Sequence, residues 1–304
     1  MSAQTATVPA RHRDTIQVED ARVISQQAWP EHQYVLRLHA RRCAELATPG
    51  SFAHLSCGSD LRLRRPLSIQ RVDREQGAIE ILYKVVGIGT AQLAQAKPGD
   101  LLSLLGPIGQ GFAIHPGRPR ALLIGGGVGI PPLIFLAERL SERPERAART
   151  LVLMGSEVPF PFRERPSTLL VPGMPTGTIA CHPLLESWGV ASRLASGRDF
   201  PGCFSGYVTD LAEVWLAAQT AEVRAEIAVY ACGPTPMLKA CAALARRHQL
   251  PAQVALEEFM ACGVGGCAGC TVEVTTTQGI RAMKRVCVDG PVFDAEAVFP
   301  GSGP

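Results

Sequence analysis

Over the first third of the chain, apolar and polar residues alternate in short runs. Candidate strands at 15–24, 33–39, 52–57, 66–72, 78–86 and 101–105 are separated by turn signals such as Pro49-Gly50, Gln76-Gly77 and Pro98-Gly99-Asp100. Only 89–95 reads as helix, so this region, 15–117, is expected to be a small barrel or sandwich. The pattern changes at Arg118-Pro119-Arg120. Ala121-Leu122-Leu123-Ile124 is a continuous apolar run, as in a strand buried on both faces of a parallel sheet. A glycine turn and a helix through Glu142 follow. Further strands are expected at 150–155, 178–182, 191–195 and 226–231, with helices at 208–218 and 236–248. Together they predict a doubly wound α/β domain over 118–250 that seats a pyrophosphate at a helix N-terminus. Beyond 250, strands at 271–277 and 280–286 flank a Gln278-Gly279 turn and make a hairpin within a C-terminal appendage, 251–304. Residues 1–14 form an N-terminal extension.

The appendage carries the most specific chemistry. Cys262, Cys267, Cys270 and Cys287 stand at C-x4-C-x2-C-x16-C. This matches a plant-type [2Fe–2S] run, in which three thiolates come from one loop and the fourth from a later segment. The hairpin would return Cys287 to the other three. Gly263, Gly265, Gly266 and Gly269 permit positive φ and the close backbone approach that such a loop needs. Structural zinc is the competing reading, although zinc sites favour paired C-x2–4-C knuckles and there is one C-x2-C pair here.

Composition narrows the function classes. With 304 residues, 46% hydrophobic and 19% charged, the chain can bury two domains and an appendage and is not expected to be disordered. A net charge of +3, with Lys and Arg scattered apart from a cluster at Arg62, Arg64 and Arg65, gives no reason to expect nucleic acid. No apolar run of 18 or more residues is present, and the N-terminus lacks a basic stretch followed by an apolar core. The expectation is therefore a cytoplasmic protein without a membrane span, whose ten cysteines include metal ligands. Cys43, Cys57, Cys181, Cys203 and Cys241 are isolated and read as small buried hydrophobes. The seven histidines are scattered and read as surface or core residues.

Three weaker motifs gain meaning beside the cysteines. Arg65-Pro66-Leu67-Ser68 puts an arginine three residues before a strand serine; by itself it would pass for a solvated arginine. Regular alternation places the two on opposite faces unless the strand begins or bends there. Gly87-Ile88-Gly89-Thr90 follows an apolar strand and offers either a diphosphate nest or a plain turn capped by Thr90. Gly125-Gly126-Gly127-Val128-Gly129-Ile130-Pro131-Pro132 departs from a strict G-x-G-x-x-G, and Cys232-Gly233-Pro234-Thr235-Pro236-Met237 ends the last strand.

In combination these motifs resemble the ferredoxin–NADP reductase superfamily. The resemblance implies a six-stranded antiparallel FAD barrel, with Arg65, Pro66, Leu67, Ser68, Gly87, Gly89 and Thr90 at the flavin. Arg65 would pair with an FAD phosphate and Ser68 would sit near flavin N5. Leu67 stands where the family often has an aromatic. Gly126, Gly127, Gly129, Cys232, Gly233 and Pro234 would place the nicotinamide, making Ser68 and Cys232 the residues at the hydride-transfer centre. The block from Leu256-Glu257-Glu258 through the cysteines, with Lys284-Arg285-Val286-Cys287-Val288-Asp289-Gly290-Pro291-Val292-Phe293, resembles electron-transfer subunits of the dihydroorotate dehydrogenase B type. This implies an iron–sulfur flavoprotein oxidoreductase passing electrons between NAD(H), FAD and a [2Fe–2S] cluster. Its partner would be a catalytic flavoprotein subunit, in a heterotetramer, in pyrimidine biosynthesis, and electrons would run from dihydroorotate to NAD⁺. NAD is favoured over NADP by the C-terminal likeness, while Ser196-Gly197-Arg198 is similar to a 2′-phosphate site. The alternatives are the reductase subunit of an oxygenase, transhydrogenase, sulfide dehydrogenase or hydrogenase, and a non-catalytic metal-binding protein on a reductase fold.

Overall fold

The computed structural model describes residues 15–58, 61–276 and 278–301. The predicted extension at 1–14 and the last residue of the predicted 271–277 strand lie outside them.

The first region is a closed antiparallel barrel. Its strands are β1 (Gln17–Trp29), β2 (Gln33–His39), β3 (Phe52–Leu55), β4 (Arg65–Asp73), β5 (Ala78–Lys84) and β6 (Leu101–Ile108), in the order β1-β2-β5-β4-β3-β6. Alternation sends Ala21, Val23, Leu36, Leu38, Ala53, Leu55, Ile79, Ile81 and Leu104 into one core. β1 runs further than its apolar stretch because the polar residues Ser25, Gln26 and Gln27 pair with β2 beyond a register shift at Val23/Ser25. Arg41–Leu46 forms a helix that local pattern does not announce. Its free N–H groups are taken by a distant strand residue: Arg42 and Cys43 donate to the Glu19 carboxylate at 3.2 and 2.8 Å.

The second region is built on β7 (Arg120–Gly126), β8 (Thr150–Gly155), β9 (Arg165–Pro166), β10 (Ala180–Cys181), β11 (Ala191–Ser196), β12 (Phe204–Ser205) and β13 (Ile227–Cys232). From the C-terminal segment come β14 (Ala252–Ala255), the hairpin β15 (Thr271–Thr275) and β16 (Arg281–Arg285), and β17 (Val292–Asp294). The main sheet has the order β12-β11-β8-β7-β13-β14-β17, parallel except for β17. Leu122 and Ile124 face one helical layer and Ala121 and Leu123 the other, as expected for a doubly wound strand. The expected sheet strand at 178–182 is a correction. Only Ala180–Cys181 is extended, and it pairs antiparallel with Arg165–Pro166 outside the main sheet. His182 then turns the chain into the helix Pro183–Ser187, leaving too few residues for a sheet strand.

β14 and β17 tie the segment beyond residue 250 into this sheet. The same segment also grips the barrel: Gln110 N–H donates to the Gly290 carbonyl at 2.5 Å, and Gln110 Nε2 to the Val288 carbonyl at 3.1 Å. Barrel and sheet meet along the helix Ile130–Ser141. Phe135 of this helix enters the barrel core, and its Glu138 pairs with Arg71 of β4 at 3.0 Å. Among the described residues, no helix is long and apolar enough to cross a membrane.

Candidate functional site

Chain order reverses between β7 and β13: β8, β11 and β12 lie to one side, β14 and β17 to the other. The carboxyl ends of two such strands open a crevice, where doubly wound sheets bind ligands. Both glycine-bearing motifs of this region meet there. A Cβ on Gly129 would lie 2.5 Å from Cys232 C, Cys232 O and Gly233 Cα, and one on Gly233 would lie 3.2 Å from Gly126 N. A Cβ on Gly126 would meet Met237 Sδ at 2.5 Å and Pro234 Cδ at 3.3 Å. Gly127 takes φ +54 with open space where a side chain would be. The turn thus needs glycine for two reasons: close backbone contact at 129 and a left-handed conformation at 127. The structure therefore brings Gly126, Gly127, Gly129, Cys232, Gly233 and Pro234 together.

Cys232 is buried at the end of β13. Burial, reinforced by the Glu257 carboxylate, pushes its thiol well above the ordinary range, so it is uncharged and suited to contact rather than nucleophilic attack. Desolvation also raises Glu257, although its side chain is open to solvent. That combination fits a carboxyl set in a cleft. Glu257 was visible in the sequence only as a flank of the cysteine motif; nothing local showed that it approaches Cys232.

On the barrel, Arg65 opens β4, and Arg65, Pro66, Leu67 and Ser68 pair with Leu55, His54, Ala53 and Phe52 of β3. The Arg65 guanidinium lies against the glycine turn, where a Cβ on Gly89 would meet its Nε at 2.6 Å and Nη2 at 2.8 Å. Arg65 Nη1 donates to the Leu63 carbonyl at 2.7 Å. Its neighbour Arg64 is spent on the barrel, with Nη1 and Nη2 donating to the Ser103 carbonyl and Oγ at 2.5 and 2.8 Å. The Thr90 hydroxyl accepts from Val86 and Gly87 N–H at 2.9 and 3.3 Å and donates to the Gly87 carbonyl at 3.1 Å. Thr90 therefore shapes the turn, while Gly89 and Arg65 face each other across it. Leu67 packs on the barrel core, and Ser68 is half-buried. Val86 and Ile88 beside the turn are 84% and 72% exposed. A guanidinium against a glycine turn, flanked by bare apolar side chains, fits a dinucleotide with charged phosphates and apolar rings.

The four motif cysteines fall into two pairs. Cys270 and Cys287 are buried with their sulfurs 3.3 Å apart. Cys262 is half-buried and hydrogen-bonded with the exposed Cys267. Gly266 N–H points at Cys262 Sγ (3.3 Å), Gly269 N–H at Cys267 Sγ (3.4 Å) and Cys287 N–H at Cys270 Sγ (3.5 Å). Burial works against the Cys262 thiolate. The Val264, Cys267 and Gly266 N–H groups and the Cys267 thiol outweigh it and hold this thiol well below its ordinary range. Burial and the Cys270 neighbour raise Cys287. Among the described residues, no three His, Cys, Asp or Glu side chains converge as a single-ion site. Two thiol pairs with N–H groups aimed at sulfur fit a two-iron cluster with two cysteines per iron better than tetrahedral zinc.

Of the four loop glycines, Gly263 and Gly265 adopt positive φ (+68 and +80); Gly266 and Gly269 do not, and Ala268 takes the left-handed position at φ 55. Arg285 pins the loop by donating to the Gly265 carbonyl at 2.7 Å. Phe52 and Ile108 of the barrel share an apolar cluster with Cys270, Val286 and Cys287, so two of the thiols pack directly on the barrel wall. Beside them is His54, fully buried, with neither ring nitrogen hydrogen-bonded among the described residues. Desolvation, then Arg64, lower its pKa to about 4.

Residues 257–299 match the family described as the iron–sulfur cluster binding domain of dihydroorotate dehydrogenase B. Over 280 residues, 91% of this chain and 96% of the relative, the sequence is 37% identical to a dihydroorotate dehydrogenase B (NAD(+)) electron transfer subunit from Bacillus caldolyticus. The subunit of the same description from Desulforamulus reducens is 32% identical over 278 residues, with 91% and 96% covered. Among solved structures, an NADH-dependent reduced ferredoxin-NADP oxidoreductase studied for flavin-based electron bifurcation aligns at TM-score 0.71 and 25% identity, covering 91% of this chain and 89% of that one. The ferredoxin reductase of a carbazole 1,9a-dioxygenase shares the fold at TM-score 0.57 and 20% identity, covering 77% and 65%.

Proposed function

The chain belongs to the family of dihydroorotate dehydrogenase B electron-transfer subunits, and from that premise we propose that it carries electrons between NAD(H), FAD and a [2Fe–2S] cluster for a dihydroorotate-oxidising catalytic subunit of pyrimidine biosynthesis. The observation that carries this reading is the shared apolar cluster of Phe52, Ile108, Cys270 and Cys287, which joins the cluster ligands to the flavin barrel. Bound FAD and cluster supply the exchange between two-electron hydride and one-electron traffic. The chain's own residues bind and orient. Arg65 and the turn at Gly87, Gly89 and Thr90 hold the flavin phosphates, and Ser68 with Leu67 borders its ring. Gly126, Gly127 and Gly129 bring a pyrophosphate close to the backbone, while Gly233, Pro234 and the neutral Cys232 line the nicotinamide pocket. Cys262, Cys267, Cys270 and Cys287 hold the cluster.

The exposed side of the cluster loop is where the partner docks. Cys267 is exposed, and Phe259 before the loop and Ile280 and Met283 in the hairpin after it are 93%, 59% and 63% exposed. The assembly is a heterotetramer, and its compartment is the cytoplasm, in keeping with ten free cysteines. The test is co-expression with the catalytic subunit encoded by the same organism. A co-purifying flavoprotein complex that reduces NAD⁺ with dihydroorotate is expected. A colourless chain lacking FAD and iron after anaerobic purification would overturn the proposal.

A further inference from the structure

The electron path proposed above leaves His54 without a role. Alternation along β3 sends Ala53 and Leu55 into the barrel core, so Phe52 and His54 face outward. Phe52 lies in the apolar cluster that contains Cys270 and Cys287. His54 points to the same side and meets the cysteine loop: a Cβ on Gly263, the residue after Cys262, would come 2.8 Å from His54 Nδ1. Across the ladder, His54 pairs with Pro66, within the flavin motif. The imidazole is thus wedged between the flavin-binding strand and the cluster loop.

Its polar atoms are unspent. His54 is 0% exposed, and among the described residues neither ring nitrogen has a hydrogen-bond partner. The Arg64 backbone comes near the ring without making a hydrogen bond. An imidazole always carries at least one N–H, and burying it unpaired forfeits its hydration with nothing gained. Native folds rarely leave such a group unused, and this one faces a loop whose acceptors, once loaded, are sulfurs.

We infer that His54 donates a ring N–H hydrogen bond to a sulfur of the cluster held by Cys262, Cys267, Cys270 and Cys287, and thereby raises the cluster's reduction potential. The inference rests on the function proposed above. An N–H donor draws electron density from sulfur and stabilises the reduced, more negative cluster. His54 accordingly favours an electron resting on the cluster, whichever side supplies it.

The experiment is an anaerobic redox titration of the FAD- and iron-loaded protein, following the electron paramagnetic resonance signal of the reduced cluster. His54→Leu removes the donor and is expected to disfavour cluster reduction about tenfold, a potential lower by about 59 mV for one electron. His54→Gln keeps an N–H and should recover part of the shift. A His54→Leu protein with full FAD and iron and an unmoved potential overturns the inference. Should His54→Leu fail to fold or to bind iron, pulsed resonance on wild-type protein with ¹⁵N-labelled histidine decides. A histidine nitrogen coupled to the reduced cluster supports the bond, and its absence overturns it. A wild-type protein without a cluster signal overturns the proposed function as well, whereas a normal signal with an unmoved potential overturns this inference alone.

Discussion

The glycine turn after β7 makes a graded prediction, because three glycines in one motif meet three different surroundings. In Gly129→Ala the new methyl would lie 2.5 Å from Cys232 C, Cys232 O and Gly233 Cα. Carbon atoms are comfortable at roughly 3.5–4.0 Å, so about 1 Å must be found between two backbone segments that cannot rotate away. Overpacking of this kind costs about 1–3 kcal/mol. In Gly126→Ala the obstacle is Met237 Sδ at 2.5 Å, the flexible end of a side chain, and the cost should be smaller. Gly127→Ala meets nothing within 4 Å and pays only for φ +54, about 1–2 kcal/mol, partly offset by a stiffer unfolded chain. The functional order should be steeper than the stability order. Separating the turn from Cys232 and Gly233 by about 1 Å should lower kcat/KM for NADH on the order of 100-fold in Gly129→Ala. Thermal unfolding and an NADH–ferricyanide assay on the three FAD-loaded variants measure both effects. If Gly129→Ala is no worse than Gly127→Ala in either assay, the two loops do not form one nicotinamide site.

Two further predictions separate function from scaffold. Arg65→Ala should release FAD on gel filtration, whereas Arg64→Ala should mainly lower the melting temperature by losing its bonds to Ser103; equal FAD retention in both would refute the assignment. Glu186 offers a pH test. Burial raises this carboxyl, but hydrogen bonds from Cys181, the Thr168 hydroxyl and the Thr168 and Leu169 N–H groups outweigh it and hold it at about 2 instead of 4.5. A depressed carboxylate contributes stability above its unfolded pKa and loses it as pH falls through the folded one. Glu186 is only 9% exposed, but Thr168, which gives it two of these bonds, is itself exposed, so solvent screening discounts the contribution to about 1–2 kcal/mol. The melting-temperature gap between wild type and Glu186→Gln should be full above about pH 5 and shrink toward pH 2. A gap that does not change with pH would refute it.

Much of this architecture is legible in the sequence because it follows local periodicity. Two-residue alternation marks the barrel strands, and buried apolar runs mark β7 and β8. The cysteine spacing picks out the proposed metal ligands without reference to the fold. What local pattern misses depends on distant partners. The helix at 41–46 is capped by Glu19 of β1, and the polar end of β1 is a strand only because β2 lies beside it. The two-residue strand at 180–181 finds its partner in Arg165–Pro166 rather than the main sheet. The site divides in the same way. Arg65 and the glycines stand in readable motifs, but Arg64 and Arg65 look alike until Ser103 claims the former. His54 looks like any strand histidine until Gly263, far along the chain, closes over its ring. Glu257 acquires a neighbour in Cys232 only when β13 and β14 lie side by side.

The proposed role requires one chain to pass electrons reversibly between a nicotinamide, a flavin and a cluster held by four cysteines beside the barrel, so the path can be run backwards from NADH. Anaerobic addition of NADH to the purified, FAD- and iron-loaded protein tests it most directly, with absorbance and electron paramagnetic resonance recorded on the same sample. Bleaching of the flavin together with the signal of a reduced [2Fe–2S] cluster is expected, and the signal should vanish in Cys270→Ser. Flavin bleaching without any cluster signal in the wild type, or a cluster signal that survives Cys270→Ser unchanged, would mean that no such electron path exists in this chain.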